Sequence, residues 1–114
     1  MNRISTHVLD IARGKPARDV LVSLERLEAS GAWSRLTSAK TDKDGRCPQL
    51  LPEADILHAG KYRLVFDTGS YYAARNMAGL YPLVDITFEV RAGESDFHIP
   101  LLLSPNSYTT YRGS

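Results

Sequence analysis

The 114-residue chain has a single cysteine, Cys47, so no disulfide can form within it and oxidation plays no part in its folding. No apolar run approaches the ~20 residues needed to cross a bilayer as a helix. The N-terminal MNRISTHVLD lacks the basic-then-apolar order of a secretory leader, and the final Arg-Gly-Ser is not a peroxisomal address of the Ser-Lys-Leu type. The cytoplasm is therefore the expected location. Charge of one sign is also missing: Lys and Arg exceed Asp and Glu by one, which gives no electrostatic case for nucleic acid or an anionic membrane. There is no Gly-rich phosphate loop, no nucleophile elbow and no spacing that fixes a Ser-His-Asp triad. The soft metal ligands are His7, His58, His98 and Cys47, and none stands at a ligand spacing such as His-x-x-x-His, so no metal is expected.

What is present fits one domain spanning residues 1–114, long enough to bury a core without staples. The pattern is of short strands parted by turns. ISTHVLDI reads as a first strand, and Gly14 and Pro16 punctuate the ARGKPARD stretch after it. VLVSLERLEA alternates, with Val20, Val22 and Leu24 inward and Leu21, Ser23 and Glu25 on the other side. Ser30-Gly31 reads as a hairpin turn into the partner strand AWSRLTSAKT. TDKDGR is a loop with Asp44-Gly45 at its tip, and the Pro-bounded CPQLLPEADIL reads as an irregular edge piece. GKYRLVFD places Tyr62, Leu64 and Phe66 on one side. TGSYYAARNMAG breaks the alternation and is predicted as the one short helix, with Thr68 or Ser70 as N-cap and Gly79 as stop. YPLVDITFEV resumes strand with Val84, Ile86, Phe88 and Val90 inward, and DFHIPLLL and YTTYR close the chain. Seven or eight strands at short spacing predict an all-β sandwich.

Two strands are apolar on both faces. In DFHIPLLL the core set is Phe97, Ile99, Leu101 and Leu103, yet the opposite set is His98, Pro100 and Leu102. In the first strand Val8 points inward, which leaves His7, Leu9 and Ile11 outside. A chain this short has little material to cover that outer face, so a second subunit in a closed symmetric assembly is expected.

The same parity places His7 and His98 on the face assigned to the interface, where imidazoles are candidates for proton transfer or, equally, satisfied structural groups. Arg46, after Asp44-Gly45, can present a bidentate fork to a planar anion or carbonyl, although alone it reads as a solvated loop arginine. Tyr111 and Arg112 likewise read as surface residues in isolation. The chain nevertheless closes on concentrated polar chemistry, Tyr111-Arg112-Gly113-Ser114, directly after an apolar run. Spacing alone leaves the function open.

The blocks STHVLD, GKPARDVLVSLERL, TDKDGR, GKYRLVFDTGSYY, YPLVDITFEV and HIPLLLSPNSYTTYRGS together resemble the transthyretin-like family, and within it the 5-hydroxyisourate hydrolases. The middle blocks fit both hydrolases and hormone carriers of that fold; the terminal Tyr-Arg-Gly-Ser resembles the hydrolase signature. The resemblance implies a transthyretin-like two-sheet β-sandwich with one short helix, assembled as a homotetramer, a dimer of dimers, with sites in a channel where dimers meet. It implies that His7, Arg46, His98 and Ser114 act in catalysis, and that His7, Arg46, Tyr111, Arg112 and Gly113 bind a small purine-derived substrate. The implied reaction is hydrolytic opening of the 5-hydroxyisourate ring by general acid/base chemistry without metal or organic cofactor, with the base either His7 or His98. Two departures stand out. Asp96 occupies a position where the family often has His, and Ser104-Pro105-Asn106-Ser107 replaces the common Ser-Pro-Tyr-Gly. The competing readings are a small-ligand carrier on the same fold and a purely structural sandwich. Cys47 and His58 are expected to be passive.

Overall fold

The computed structural model describes residues 2–114. The first strand, β1 (Arg3–Asp10), is the spine of one sheet, and its neighbours change along its length. On one side β8 (Asp96–His98) runs parallel to its first half and β9 (Leu101–Ser104) parallel to its second half. On the other side β5 (Arg46–Cys47) pairs with Thr6 and His7, and β2 (Lys15–Pro16) pairs with Leu9 and Asp10. The hairpin partner of β9, β10 (Ser107–Thr110), forms the outer edge.

The expected single strand DFHIPLLL is thus two strands. Pro100 lacks an N–H and cannot continue the ladder. The carbonyls at the break find side-chain donors instead: Thr6 Oγ1 donates to Ile99 O at 2.6 Å and Thr110 Oγ1 to Pro100 O at 2.8 Å. Among the described residues two of the ten strands, β2 and β5, are two-residue pairings, so the eight longer ones match the expected count.

The second sheet is a four-stranded antiparallel meander in the order β4 (Trp33–Lys40), β3 (Leu21–Leu27), β6 (Gly60–Phe66), β7 (Val84–Val90). The alternation read from the sequence puts Val22, Leu24, Tyr62, Leu64 and Phe66 inward, and all are fully buried. They meet Ile4, Val8, Phe97, Leu101 and Leu103 from the first sheet in one core, each large side chain contributing about 1.5–3 kcal/mol of burial. Ser23 points the other way as expected, yet it too is buried.

The helix α1 (Thr68–Ala73) forms where the alternation fails, but its ends differ from the expected ones. Asp67, rather than Thr68 or Ser70, is the N-cap; its carboxylate accepts from Ser70 N at 3.1 Å and from Ser70 Oγ at 2.7 Å. Thr68 is fully buried, and its hydroxyl donates to Tyr81 O instead. The helix stops through Asn76, which takes a left-handed φ of 57°, before Gly79 is reached. Tyr71 anchors α1 to the end of β1, its hydroxyl donating to the buried Asp10 carboxylate at 2.8 Å. Among the described residues no helix is long and apolar enough to cross a membrane.

Candidate active site

Strand register brings the distant polar residues together. Because side chains alternate along a strand, Arg3, Ser5 and His7 share one face of β1. In the parallel ladder with β8, Arg3 faces Asp96 and Ser5 faces His98. In the antiparallel pair with β5, His7 faces Arg46. Cross-strand partners project to the same side of a sheet, so His7, Arg46 and His98 share the outer face of the first sheet. This face lies opposite the core.

Arg46 is held by its loop rather than by its side chain. Asp42 Oδ1 accepts from the backbone N–H groups of Asp44 and Arg46, both at 2.9 Å. Those donors, Arg46 N–H foremost, hold the Asp42 carboxyl below its ordinary range. Gly45 makes the turn possible: its φ is 76°, and a Cβ there would collide with the carbonyl oxygen of Val8. The tip of the loop therefore sits directly on β1, and Val8 N donates to Gly45 O at 2.7 Å. Cys47, next along, is buried, and desolvation pushes its thiol up to about 11.

The tail returns to the same place. Gly113 forms an antiparallel bridge with His98, its N–H donating to His98 O at 2.7 Å. A Cβ at Gly113 would lie 2.6 Å from His98 Cδ2, so the tail backbone rests against the imidazole edge. Arg112 lies over the Phe97 ring at 4.4 Å, and its guanidinium donates to Glu94 Oε2 at 3.2 Å and Asp96 O at 3.3 Å. Backbone N–H of Arg91 first, then Arg112, keep the Glu94 carboxyl below its usual value.

The result is a cleft of about 390 Å3 bordered by Arg46, His98, Arg112, Gly113 and Ser114, with Arg3, Ser5 and Asp96 completing it. His98 is half-buried; its Nδ1 is 2.8 Å from Ser5 Oγ. Burial first, then the positive charges of Arg46, His7 and Arg3, push its pKa below the usual imidazole value, with Asp96 opposing. Burial and these charges favour the neutral ring.

The expected residues do not all border this cleft. Within one chain His7 stands beyond its lining, on the same face two residues along β1 from Ser5. Tyr111 lines a neighbouring apolar groove of about 180 Å3 with Ile86, Phe88, Phe97 and Ile99. Arg3 and Ser5 were not anticipated, although their odd-number parity with His7 in RISTH carried the signal. Among the described residues no group of three His, Cys, Asp or Glu side chains is placed to hold a metal ion.

Two packed sheets that gather an imidazole, three guanidiniums and the chain's own polar tail around an open cleft define a sandwich with a site suited to a small polar molecule. A family model described as the HIUase/Transthyretin family matches residues 4–113, and the chain belongs to that family. It is 47% identical to the 5-hydroxyisourate hydrolase of Mus musculus over 112 residues, covering 97% of this chain and 94% of that protein. The 5-hydroxyisourate hydrolase of Salmonella dublin is 40% identical over 113 residues, covering 99% of this chain and 82% of the relative. Among solved structures, Klebsiella pneumoniae 5-hydroxyisourate hydrolase superposes with a TM-score of 0.86 at 38% identity, covering the whole of both chains. Sea bream transthyretin in complex with thyroxine superposes with a TM-score of 0.90 at 29% identity, covering 97% of this chain and 94% of that one.

Proposed function

We propose that the protein hydrolyses 5-hydroxyisourate, the unstable product of urate oxidation, to a carboxylated ureidoimidazoline on the route to allantoin. The observation that carries this reading is the convergence of His98, Arg46, Arg112 and the Gly113-Ser114 backbone on one cleft. Membership of a family whose members include several named 5-hydroxyisourate hydrolases supports it.

The chemistry rests on the groups available. Water adds to a ring carbonyl carbon, and the charge that develops on the carbonyl oxygen needs donors. Arg46 supplies a rigid fork with no ion pair among the described residues, free to orient a flat polar heterocycle and stabilise the oxyanion. Collapse of the tetrahedral intermediate breaks the amide-like C–N bond, and the leaving nitrogen takes a proton. One of the two imidazoles, His7 or His98, accepts the proton from water and returns it to that nitrogen. Arg112 and Ser114 hold the substrate from the tail side, Gly113 lets the tail lie close, and Tyr111 closes the adjoining groove. The reaction proceeds without metal or organic cofactor.

We further propose that the working form is a cytoplasmic homotetramer, a dimer of dimers whose channel completes the cleft. Its open mouth, the position of His7 beyond the single-chain lining and the 50% exposure of Ile11 in the turn after β1 support a covering subunit.

The likeness to a thyroxine-bound transthyretin favours a second reading, a carrier of small ligands. The polar lining opposes it, since a carrier of small aromatic ligands needs an apolar channel. Freshly prepared 5-hydroxyisourate, followed by absorbance, separates the two. Decay accelerated by the wild-type protein and not by a chain truncated before Tyr111 supports the hydrolase. Binding that leaves the spontaneous decay rate unchanged overturns it.

A further inference from the structure

Two histidines on one face leave their division of labour undecided, and a third residue bears on it. Ser5 faces His98 across the parallel β1–β8 ladder, is 1% exposed, and holds its Oγ 2.8 Å from His98 Nδ1. Two neutral tautomers satisfy that bond in opposite senses. If Nδ1 carries the hydrogen, it donates to Ser5 Oγ, and the Ser5 hydroxyl hydrogen then needs an acceptor elsewhere. Among the described residues Ser5 Oγ makes no other hydrogen bond. The neighbouring Thr6 hydroxyl, on the opposite face of β1, does have its own acceptor, Ile99 O. A buried O–H left without an acceptor is disfavoured. If Ser5 Oγ–H donates to Nδ1 instead, both groups are satisfied and the hydrogen of His98 sits on Nε2.

We infer that Ser5 is a positioning residue that locks His98 as its Nε2–H tautomer, so that His98 serves as hydrogen-bond donor to the substrate oxygen and His7 serves as the base. The inference rests on the hydrolase reading and divides the roles within it. Water gives its proton to His7 as its oxygen bonds to the carbonyl carbon. The oxyanion so formed accepts hydrogen bonds from His98 Nε2–H and Arg46, with no proton transferred from either. When the C–N bond breaks, His7 returns its proton to the leaving nitrogen, and the new carboxylic acid ionises to solvent. The lock acts on the neutral imidazole, because only in the neutral ring does Ser5 choose which nitrogen is protonated. Burial first, and then the charges of Arg46 and Arg3, against the carboxylate of Asp96, favour that neutral form.

Nitrogen NMR of the histidine-labelled full chain without substrate reads the tautomer directly. The expected spectrum has His98 Nε2 protonated and Nδ1 unprotonated; protonation of Nδ1 overturns the inference whatever the activity. Kinetics on 5-hydroxyisourate give the second test. Ser5→Ala should lower kcat about tenfold with little change in KM, and Ser5→Thr, which keeps the hydroxyl, should restore it. Added imidazole should rescue His7→Ala and not His98→Ala; the reverse pattern overturns the assignment. A wild-type protein that shows the expected tautomer but does not accelerate decay would sink the hydrolase reading while leaving the Ser5–His98 lock in place. Should Ser5→Ala fail to fold, the wild-type spectrum still decides.

Discussion

Replacing Gly113 with alanine tests whether contact between the tail and His98 matters for turnover. Gly113 has no left-handed backbone requirement; its constraint is space. The added Cβ would stand 2.6 Å from His98 Cδ2 and 3.3 Å from His98 O. An ordinary carbon–carbon contact is roughly 3.6 Å, so ring and tail must separate by about 1 Å. The ring is the harder of the two to move. Its Nδ1 is tied to Ser5, and its strand is paired to β1 inside the sheet. The tail must therefore yield, which strains the 2.7 Å bond from Gly113 N to His98 O and carries Arg112 and Ser114 away from the cleft. A displacement of about 1 Å in a catalytic constellation costs about 100-fold in rate. Stopped-flow decay of 5-hydroxyisourate should accordingly show kcat/KM for Gly113→Ala about 100-fold below wild type. The melting temperature should barely change, because the exposed tail adds little to the core. A variant within threefold of wild type, with the fold intact, refutes the argument.

Three further outcomes rest on the same geometry. Arg46→Ala should lower kcat about 100-fold, the effect of losing an oxyanion donor of ~3 kcal/mol, and a near-normal single-turnover rate would remove Arg46 from that role. An NMR titration of His98 should have its midpoint below the usual imidazole pKa of 6.5, because burial first, and then Arg46, His7 and Arg3, disfavour its protonation. Taking away the Arg3 charge by Arg3→Gln raises the His98 pKa and should move that midpoint to higher pH; movement to lower pH contradicts the electrostatic account. Tyr71→Phe removes the donor at 2.8 Å from the buried Asp10 carboxylate and should cost about 1–3 kcal/mol in urea unfolding; an unchanged midpoint would show that water replaces the hydroxyl freely.

The core was legible because period-two alternation is a local property of the chain. Val22 and Leu24 in β3, and Tyr62, Leu64 and Phe66 in β6, could be placed inward from parity alone, and all are buried. The helix was legible as an interruption of that pattern, but its boundaries were not. Asp67 outcompeted Thr68 as cap because the Thr68 hydroxyl is drawn to Tyr81 O, thirteen residues away, a partner that no local rule contains. The break at Pro100 could have been read from the missing N–H, but the apolar run on either side concealed it.

For the site, the residue types could be read from the chain, while their mutual arrangement could not. Parity placed His7 and His98 on outer faces, and resemblance supplied Arg46 and the terminal four residues as companions. Ser5 and Arg3 do not stand out in the sequence because serine and arginine in a strand carry no chemistry until a partner faces them.

Alone, the sequence determined which side of each strand is apolar, where the chain turns, and which ionisable groups the protein owns, since all of these depend on neighbours a few residues apart. The tertiary structure alone decided that β1 lies between β8 and β5, and so that Ser5 meets His98, His7 meets Arg46, and Gly113 rests on the imidazole. Pairings across as many as 93 residues depend on how two sheets close over a shared core, and that closure is a property of the whole chain.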